Sequence, residues 1–433
     1  MTVPGTLGWA GIVRLGLVQM ALGAVVVLCT STLNRLMVVE LALPALLPGF
    51  LVALHYGIQI SRPRWGFLSD TGGHRTRWIL RGMALLAAGA VLAALGVVWL
   101  EHSFLPGLVL SIAAYALIGV GVGASGTSLL ALLATATAPR RRAAAATITW
   151  LMMIAGIALT AGFVGALLDP YGPARLMTIV AAVAASAMVL SLLATWRIEA
   201  GLTATAPERD PMPFRDGLCE IWGEPRARAF TIFVFLSMTA YFMQELILEP
   251  YAGLVFGFTP GQSTSLSGAQ NGGVFLGMLC VGIAATGLKI GSLRGWVTAG
   301  CLGSATALAL VAALGQAGPV VPLMAVVIGL GFFNGVFAVA AIGSMMALAG
   351  QGRGAREGTR MGLWGAAQAI AAGFGGLAGA AGVDLMRLFL PDPAAFGTVF
   401  LFEAALFLAA AAMALRVIAH GPTSIAAQAI AGE

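Results

Sequence analysis

Long apolar runs, broken by short polar segments, fill this chain from its first turns almost to its end. Each run is at least about 18 residues, enough to cross roughly 30 Å of hydrocarbon as a helix. The pattern predicts twelve spans, near 14–33, 44–61, 79–99, 107–132, 145–167, 175–195, 229–248, 265–287, 296–315, 319–348, 361–383 and 396–415. A backbone in lipid must satisfy its own polar groups, so helices are the expected spanning form. No A-x-A-like site follows the first apolar run, which reads as a signal anchor.

Composition agrees with the pattern. Of 433 residues, 59% are hydrophobic and only 9% charged, against about 25% charged in soluble domains. The net charge of +6 comes from arginine almost alone. In a membrane protein such an excess reports topology first, and nucleic acid is not an expected partner. With the N-terminus in the cytoplasm, only Arg35, Arg175 and Arg387 fall on the far side. Both termini are therefore expected to be cytoplasmic. The four cysteines include no CxxC pair, so neither a metal site nor a disulfide framework is expected.

The longest internal polar segment, 198–228, divides the chain into an N-terminal half, 1–197, and a C-terminal half, 229–433. The halves look related. Ile118-Gly-Val-Gly121 pairs with Ile328-Gly-Leu-Gly331, and Trp150, Ala161-Gly-Phe163 and Asp169 pair with Trp364, Ala372-Gly-Phe374 and Asp384. Between spans 2 and 3 the chain reads Gly66-Phe-Leu-Ser-Asp70-Thr-Gly-Gly73-His-Arg75. This G-x3-D-x2-G-x-R spacing resembles the helix 2–3 loop of the major facilitator superfamily. The resemblance implies an all-α membrane protein, with twelve transmembrane helices in two six-helix halves. Within that motif Asp70 is expected to meet a helix N-terminus or an Arg such as Arg75. Gly66 and Gly73 are expected to allow close contact and a tight turn.

The interior is expected to lack charge. Glu245 and Glu249 are placed at the far end of span 7 and Glu403 in the first turns of span 12, with no acid or base near a bilayer midpoint. Ion-coupled transporters usually keep such a group. His55 is the only histidine inside a span; its imidazole either ligates a metal or bonds to a neighbouring helix. Gln19, Gln59, Gln244, Gln270, Asn271, Asn334 and Gln368 either line a cavity or bond between helices. The small-xxx-small pairs Gly119/Gly123, Gly331/Gly335 and Gly375/Gly379 either pack helices within the chain or present a stripe to foreign helices. No nucleophile–base pair, metal cluster or nucleotide loop stands in a usable context, so the chain is expected not to be an enzyme and to hold no metal or nucleotide.

Several blocks resemble the PucC/LhaA family, the bacteriochlorophyll-delivery branch of that superfamily. The discriminating ones are Thr32-Leu-Asn34-Arg35-Leu-Met-Val-Val-Glu40-Leu and Gln244-Glu245-Leu-Ile-Leu-Glu249-Pro250-Tyr251-Ala-Gly253. Others are Leu54-His-Tyr-Gly-Ile-Gln59, Gly165-Ala-Leu-Leu-Asp169-Pro170 and Trp364-Gly-Ala-Ala-Gln368. The resemblance implies an assembly factor for light-harvesting antenna complexes in the bacterial inner (intracytoplasmic) membrane. Its cargo or clients would be bacteriochlorophyll, or the machinery that makes it, and the antenna α/β polypeptides. With such a cargo, the candidate pigment contacts are the polar groups inside the spans: His55, whose imidazole can ligate the magnesium of a chlorin, with Gln19, Gln59 and Gln368. The resemblance also implies that Asn34, Arg35, Glu40, Gln244, Glu245, Glu249, Pro250 and Tyr251 order polar ends of cargo or gate the bundle from the periplasmic side. The competing expectation is a secondary transporter of an apolar or amphipathic solute.

Overall fold

The computed structural model describes residues 6–62, 65, 74–138, 141–200, 222–288, 290–317, 322–349 and 357–418. Among these residues the chain forms twelve helices. They are α1 (Trp9–Glu40), α2 (Leu46–Ser61), α3 (Arg75–Leu100), α4 (Phe104–Ala136), α5 (Arg142–Leu168), α6 (Pro173–Thr195), α7 (Pro225–Phe256), α8 (260–287), α9 (Leu293–Ala317), α10 (Leu323–Ala349), α11 (Glu357–Arg387) and α12 (Asp392–Val417). Eleven are long and apolar enough to cross a membrane; α2 is a shorter apolar helix. Every expected span has its helix.

Two expected ends move. α1 continues past residue 33 to Glu40, and α7 past 248 to Phe256, through Pro250. Hydropathy stops where polar side chains begin, but a polar residue stays in a helix when its partners are supplied from elsewhere in the fold. A third difference concerns charge. α12 starts at Asp392, so Glu403 lies about 16 Å along it, near its middle, and is fully buried. The expectation of an acid-free span interior fails there.

The chain divides into two compact units. The first holds 1–208 with 248–268, and the second holds 209–247 with 269–433. Residues 248–268, the end of α7 and the start of α8, thus cluster with the N-terminal helices. In the first unit α3 and α4 make the most extensive contact, and α1 packs on α5 and α6. A Cβ at Gly82 would stand 2.4 Å from the backbone nitrogen of Ser125, so these two backbones touch. At one end Arg14 donates to the carbonyls of Ala194 (2.9 Å) and Trp196, closing the C-terminus of α6 onto α1.

In the second unit α9 packs against both α10 and α12. The ring pairs Phe230–Trp364 (4.9 Å), Phe233–Phe337 (6.4 Å) and Phe337–Phe407 (6.0 Å) link α7, α11, α10 and α12. The glycine pairs resolve here. A Cβ at Gly331 or Gly335 would strike α8 carbonyls at 2.0 and 2.1 Å, and one at Gly375 or Gly379 would strike α7 carbonyls at 2.7 and 2.6 Å. In the first unit, Gly119 faces the carbonyl of His55 in the same way. These stripes pack helices within the chain.

Candidate functional site

The polar end of α1 is where the first unit gathers its chemistry. From Leu28 to Thr32, and again from Leu36 to Glu40, α1 widens to π-type turns around one short α segment, Leu33–Arg35. Each wide turn shifts the phase of the side chains that follow, and such bulges concentrate at functional sites. The hydroxyl of Tyr115, on α4, donates to the carbonyl of Cys29 within the first wide turn at 2.9 Å.

Arg35 is the hub, with 2% of its side chain exposed. Its three guanidinium nitrogens go to three acceptors: Glu40 in an ion pair, the carbonyl of Phe258 at 2.7 Å, and Ser263 Oγ at 3.4 Å. Four residues earlier, Ser31 donates to the buried carboxyl of Glu249, and the Ser267 hydroxyl lies against the same carboxyl. Thr32 and Thr264 pair through their hydroxyls at 3.4 Å. One buried cation therefore stands among a buried acid, Glu249, a partly solvated acid, Glu40, and a set of hydroxyls, and the low-dielectric surrounding strengthens the enclosed contacts.

A second tie completes this end. Asp169, just past α5, accepts the N–H of Gly261 at 3.0 Å through Oδ1 and the Thr259 hydroxyl through Oδ2. It caps α8 from across the fold, with its charge at the positive end of that helix. Nearby, Tyr171 donates to Glu101 at 2.6 Å. Asp169→Ala is expected to cost about 0.5–2 kcal/mol, the usual loss of an N-cap. A lowered melting temperature of the purified protein would show it, and an unchanged one would remove Asp169 from this role.

The expected site residues distribute unevenly. Asn34, Arg35, Glu40, Glu249, Pro250 and Tyr251 come together in the first unit, with Asn34, Glu249 and Tyr251 fully enclosed. Gln244, buried, and Glu245, half-buried, belong to the second unit. Among the expected pigment contacts, His55 Nε2 lies 3.0 Å from Gln59 Nε2, and Gln59 in turn accepts from Arg62. Nδ1 of that ring has no hydrogen-bond partner, but the ring is 3% exposed, so as packed it is covered rather than open to a chlorin magnesium. Gln19 reaches Met153 Sδ on α5 at 3.2 Å, and Gln368 is half-buried on α11 of the second unit. Gly66, Asp70 and Gly73 lie outside the described residues. Arg75 is tied to α4 through the carbonyl of Ala131 (2.8 Å) and Thr135. Among the described residues Glu199 meets the N-terminus of α3, accepting the Arg75 N–H at 2.9 Å. No group of three potential metal ligands occurs among the described residues.

Sequence reasoning passed over Ser31, Ser263, Ser267 and Glu199. The available signal was the hydroxyl-rich run Ser263-Thr-Ser-Leu-Ser267 opening a span, unusual in a segment otherwise bound for lipid.

The comparisons with known proteins fit this architecture. Solved structures with the same fold include a bacterial homologue of the human lysosomal transporter Spinster (TM-score 0.67, 13% identity, 94% of this chain and 97% of that one). The peptide transporter POT is another (TM-score 0.68, 17% identity, 96% and 97%). The chain is thus a multi-pass membrane protein with the major facilitator fold. Among relatives by sequence, one of Rhodobacter capsulatus named bacteriochlorophyll synthase 44.5 kDa chain is 67% identical over 99% of this chain and all of its own. The protein PucC of Cereibacter sphaeroides is 30% identical over 89% of this chain and 86% of its own. The first relative overturns the expectation that this chain is not an enzyme, because its name is that of an enzyme chain. The model of the family described as PUCC protein matches residues 32–421, and the chain belongs to that family.

Proposed function

We propose that this chain handles bacteriochlorophyll at the point where its synthesis meets antenna assembly. It shields or delivers the pigment and docks the antenna α/β polypeptides in the inner (intracytoplasmic) membrane, with both termini in the cytoplasm. The observation that carries this reading is the end-to-end 67% identity to a protein named as a chain of bacteriochlorophyll synthase, within a family that includes PucC. Physical chemistry supports a carrier or scaffold. A chlorin with a long hydrocarbon tail partitions into lipid unaided, so preventing aggregation is the harder task than moving it across.

In this reading the Arg35 hub and its motif neighbours order the polar ends of cargo or gate the bundle, so Glu249→Gln and Glu245→Gln lower antenna accumulation. Normal antenna levels in both would remove those residues from the role. Direct ligation of pigment by His55 would fall to its unpartnered Nδ1 and would require the enclosed ring to be uncovered.

Near-infrared spectra of membranes, with extracted pigments, from a strain lacking the gene test the whole reading. Loss of one antenna band with pigment synthesis intact supports delivery and names the client. Loss of bacteriochlorophyll itself, with precursors building up, supports a part in synthesis. Unchanged bands and pigments favour the second reading, a secondary transporter of an apolar or amphipathic solute. The specific observation behind that alternative is the carboxyl in the middle of α12.

A further inference from the structure

Glu403 takes no part in the site described above, and it is the unusual acid of this chain. It is fully buried, and neither of its carboxyl oxygens has a hydrogen-bond partner among the described residues. Its neighbours one turn away on the same face of α12, Phe400 and Phe407, are fully buried as well.

Helix register locates what lies opposite. Gly397 meets Ala312 of α9 at 3.7 Å, and Phe407 meets Phe337 of α10, which in turn packs on Gly300 of α9. α12 and α9 therefore run antiparallel, and Glu403 falls level with the turn of α9 around Ser304. There Ser304 donates to Asn334 Oδ1 of α10 at 2.7 Å. Both residues are fully buried, and the other end of the Asn334 amide, Nδ2, is a donor without an acceptor. A hydroxyl, an amide and a carboxyl thus share one level of a three-helix seam that is otherwise apolar.

Among the described residues of α9 to α12, charged groups are remote from that level. On α9, Arg294 is ten residues from Ser304, about 15 Å along the axis; the thiol of Cys301 is the only other titratable group there. α10 has no charged residue. On α11, Asp384 and Arg387 sit in the last turn, where Arg387 pairs with Asp392 at 2.8 Å, and Glu357 and Arg360 open the opposite end. On α12 itself, Asp392 and Arg416 stand at the two ends, each more than about 15 Å away along the axis. A bare carboxylate in such a place has no cation to offset the cost of leaving water.

We propose that Glu403 is a proton-binding site of the second unit. The carboxyl carries its proton while α9, α10 and α12 are closed around it, and it exchanges that proton when the seam opens to water. Closure of these helices and protonation are then one event, with Ser304 and Asn334 as the polar groups available to the acid. This inference rests on neither functional reading above.

Infrared difference spectroscopy on the full chain in lipid vesicles tests it. A protonated carboxylic acid has a carbonyl stretch that carboxylates and amides lack. The expected result is such a band in the parent at neutral pH, lost in Glu403→Gln, while that variant keeps the parent's elution profile and melting temperature. A band absent from the parent, or persisting undiminished in the variant, overturns the proposal. Where Glu403→Gln fails to fold, Glu403→Asp is the second variant, and if it folds without a protonated-acid band the proposal is overturned too. If neither folds, the parent labelled with carbonyl-13C glutamate decides: no labelled acid band overturns the proposal, and a labelled band that disappears only when the protein is unfolded supports it.

Discussion

Replacing Arg35 with methionine is expected to abolish accumulation of folded protein. The side chain is almost wholly enclosed, and its three nitrogens serve Glu40, Phe258 and Ser263 at once. Methionine fills the space but leaves a carboxylate, a carbonyl and a hydroxyl without their common donor. Glu40 keeps about a third of its side chain in solvent, so the loss falls mainly on the other acceptors; each polar group left unpaired inside the fold costs about 1–3 kcal/mol, a large part of the 5–15 kcal/mol by which a folded domain is stable. Lysine keeps the charge but not the fork of donors, so Arg35→Lys should fall between parent and methionine variant. Melting temperature and elution profile of the detergent-solubilised protein are the measurements. A methionine variant that melts with the parent would show that the hub carries little of the fold's stability.

Bulky side chains on the α8–α10 seam are expected to do comparable damage by a different cause. Cβ atoms at Gly277, Gly331 and Gly335 would stand 2.0, 2.0 and 2.1 Å from backbone carbonyl oxygens of the facing helix. Backbone cannot swing aside as a side-chain tip can. Even Gly331→Ala must push α8 and α10 apart, at the 1–3 kcal/mol or so typical of overpacking, and Gly331→Leu should lose the folded state. Gly329, two residues earlier on α10, has nothing within 4 Å of its would-be Cβ. Gly329→Ala should therefore be neutral or slightly stabilising, since alanine favours helix by about 1 kcal/mol over glycine. Equal effects at Gly329 and Gly331 in a thermal-melt series would refute close backbone contact as the reason for this seam.

The Arg35 hub also shows why its members were only half visible beforehand. Thr32 to Glu40 and Gln244 to Gly253 stood out as motif blocks, so Arg35, Glu40 and Glu249 were singled out. Ser31, Ser263 and Ser267 were not, because a serine in an apolar run carries no local mark of what it will touch. Ser31 and Glu249 are 218 positions apart, and only the packing of residues 248–268 with the N-terminal helices makes them partners.

The amino-acid sequence by itself determined the number of helices, their order and their approximate extent, because the bilayer imposes one length and one polarity on every span. It also determined which glycine pairs would matter, since small residues at four-residue spacing are what close helix contact demands. Tertiary structure alone decided three things. It decided that α1 and α7 run on through polar residues, because Arg35 and Glu249 find hydrogen-bond partners on segments distant in the sequence. It decided that the glycine stripes face inward, because rotation of a helix about its axis is set by its neighbours. And it decided that Glu403 lies in the middle of its helix, buried against a seam with no counter-charge, because burial belongs to the packing of three helices that hydropathy reads one at a time.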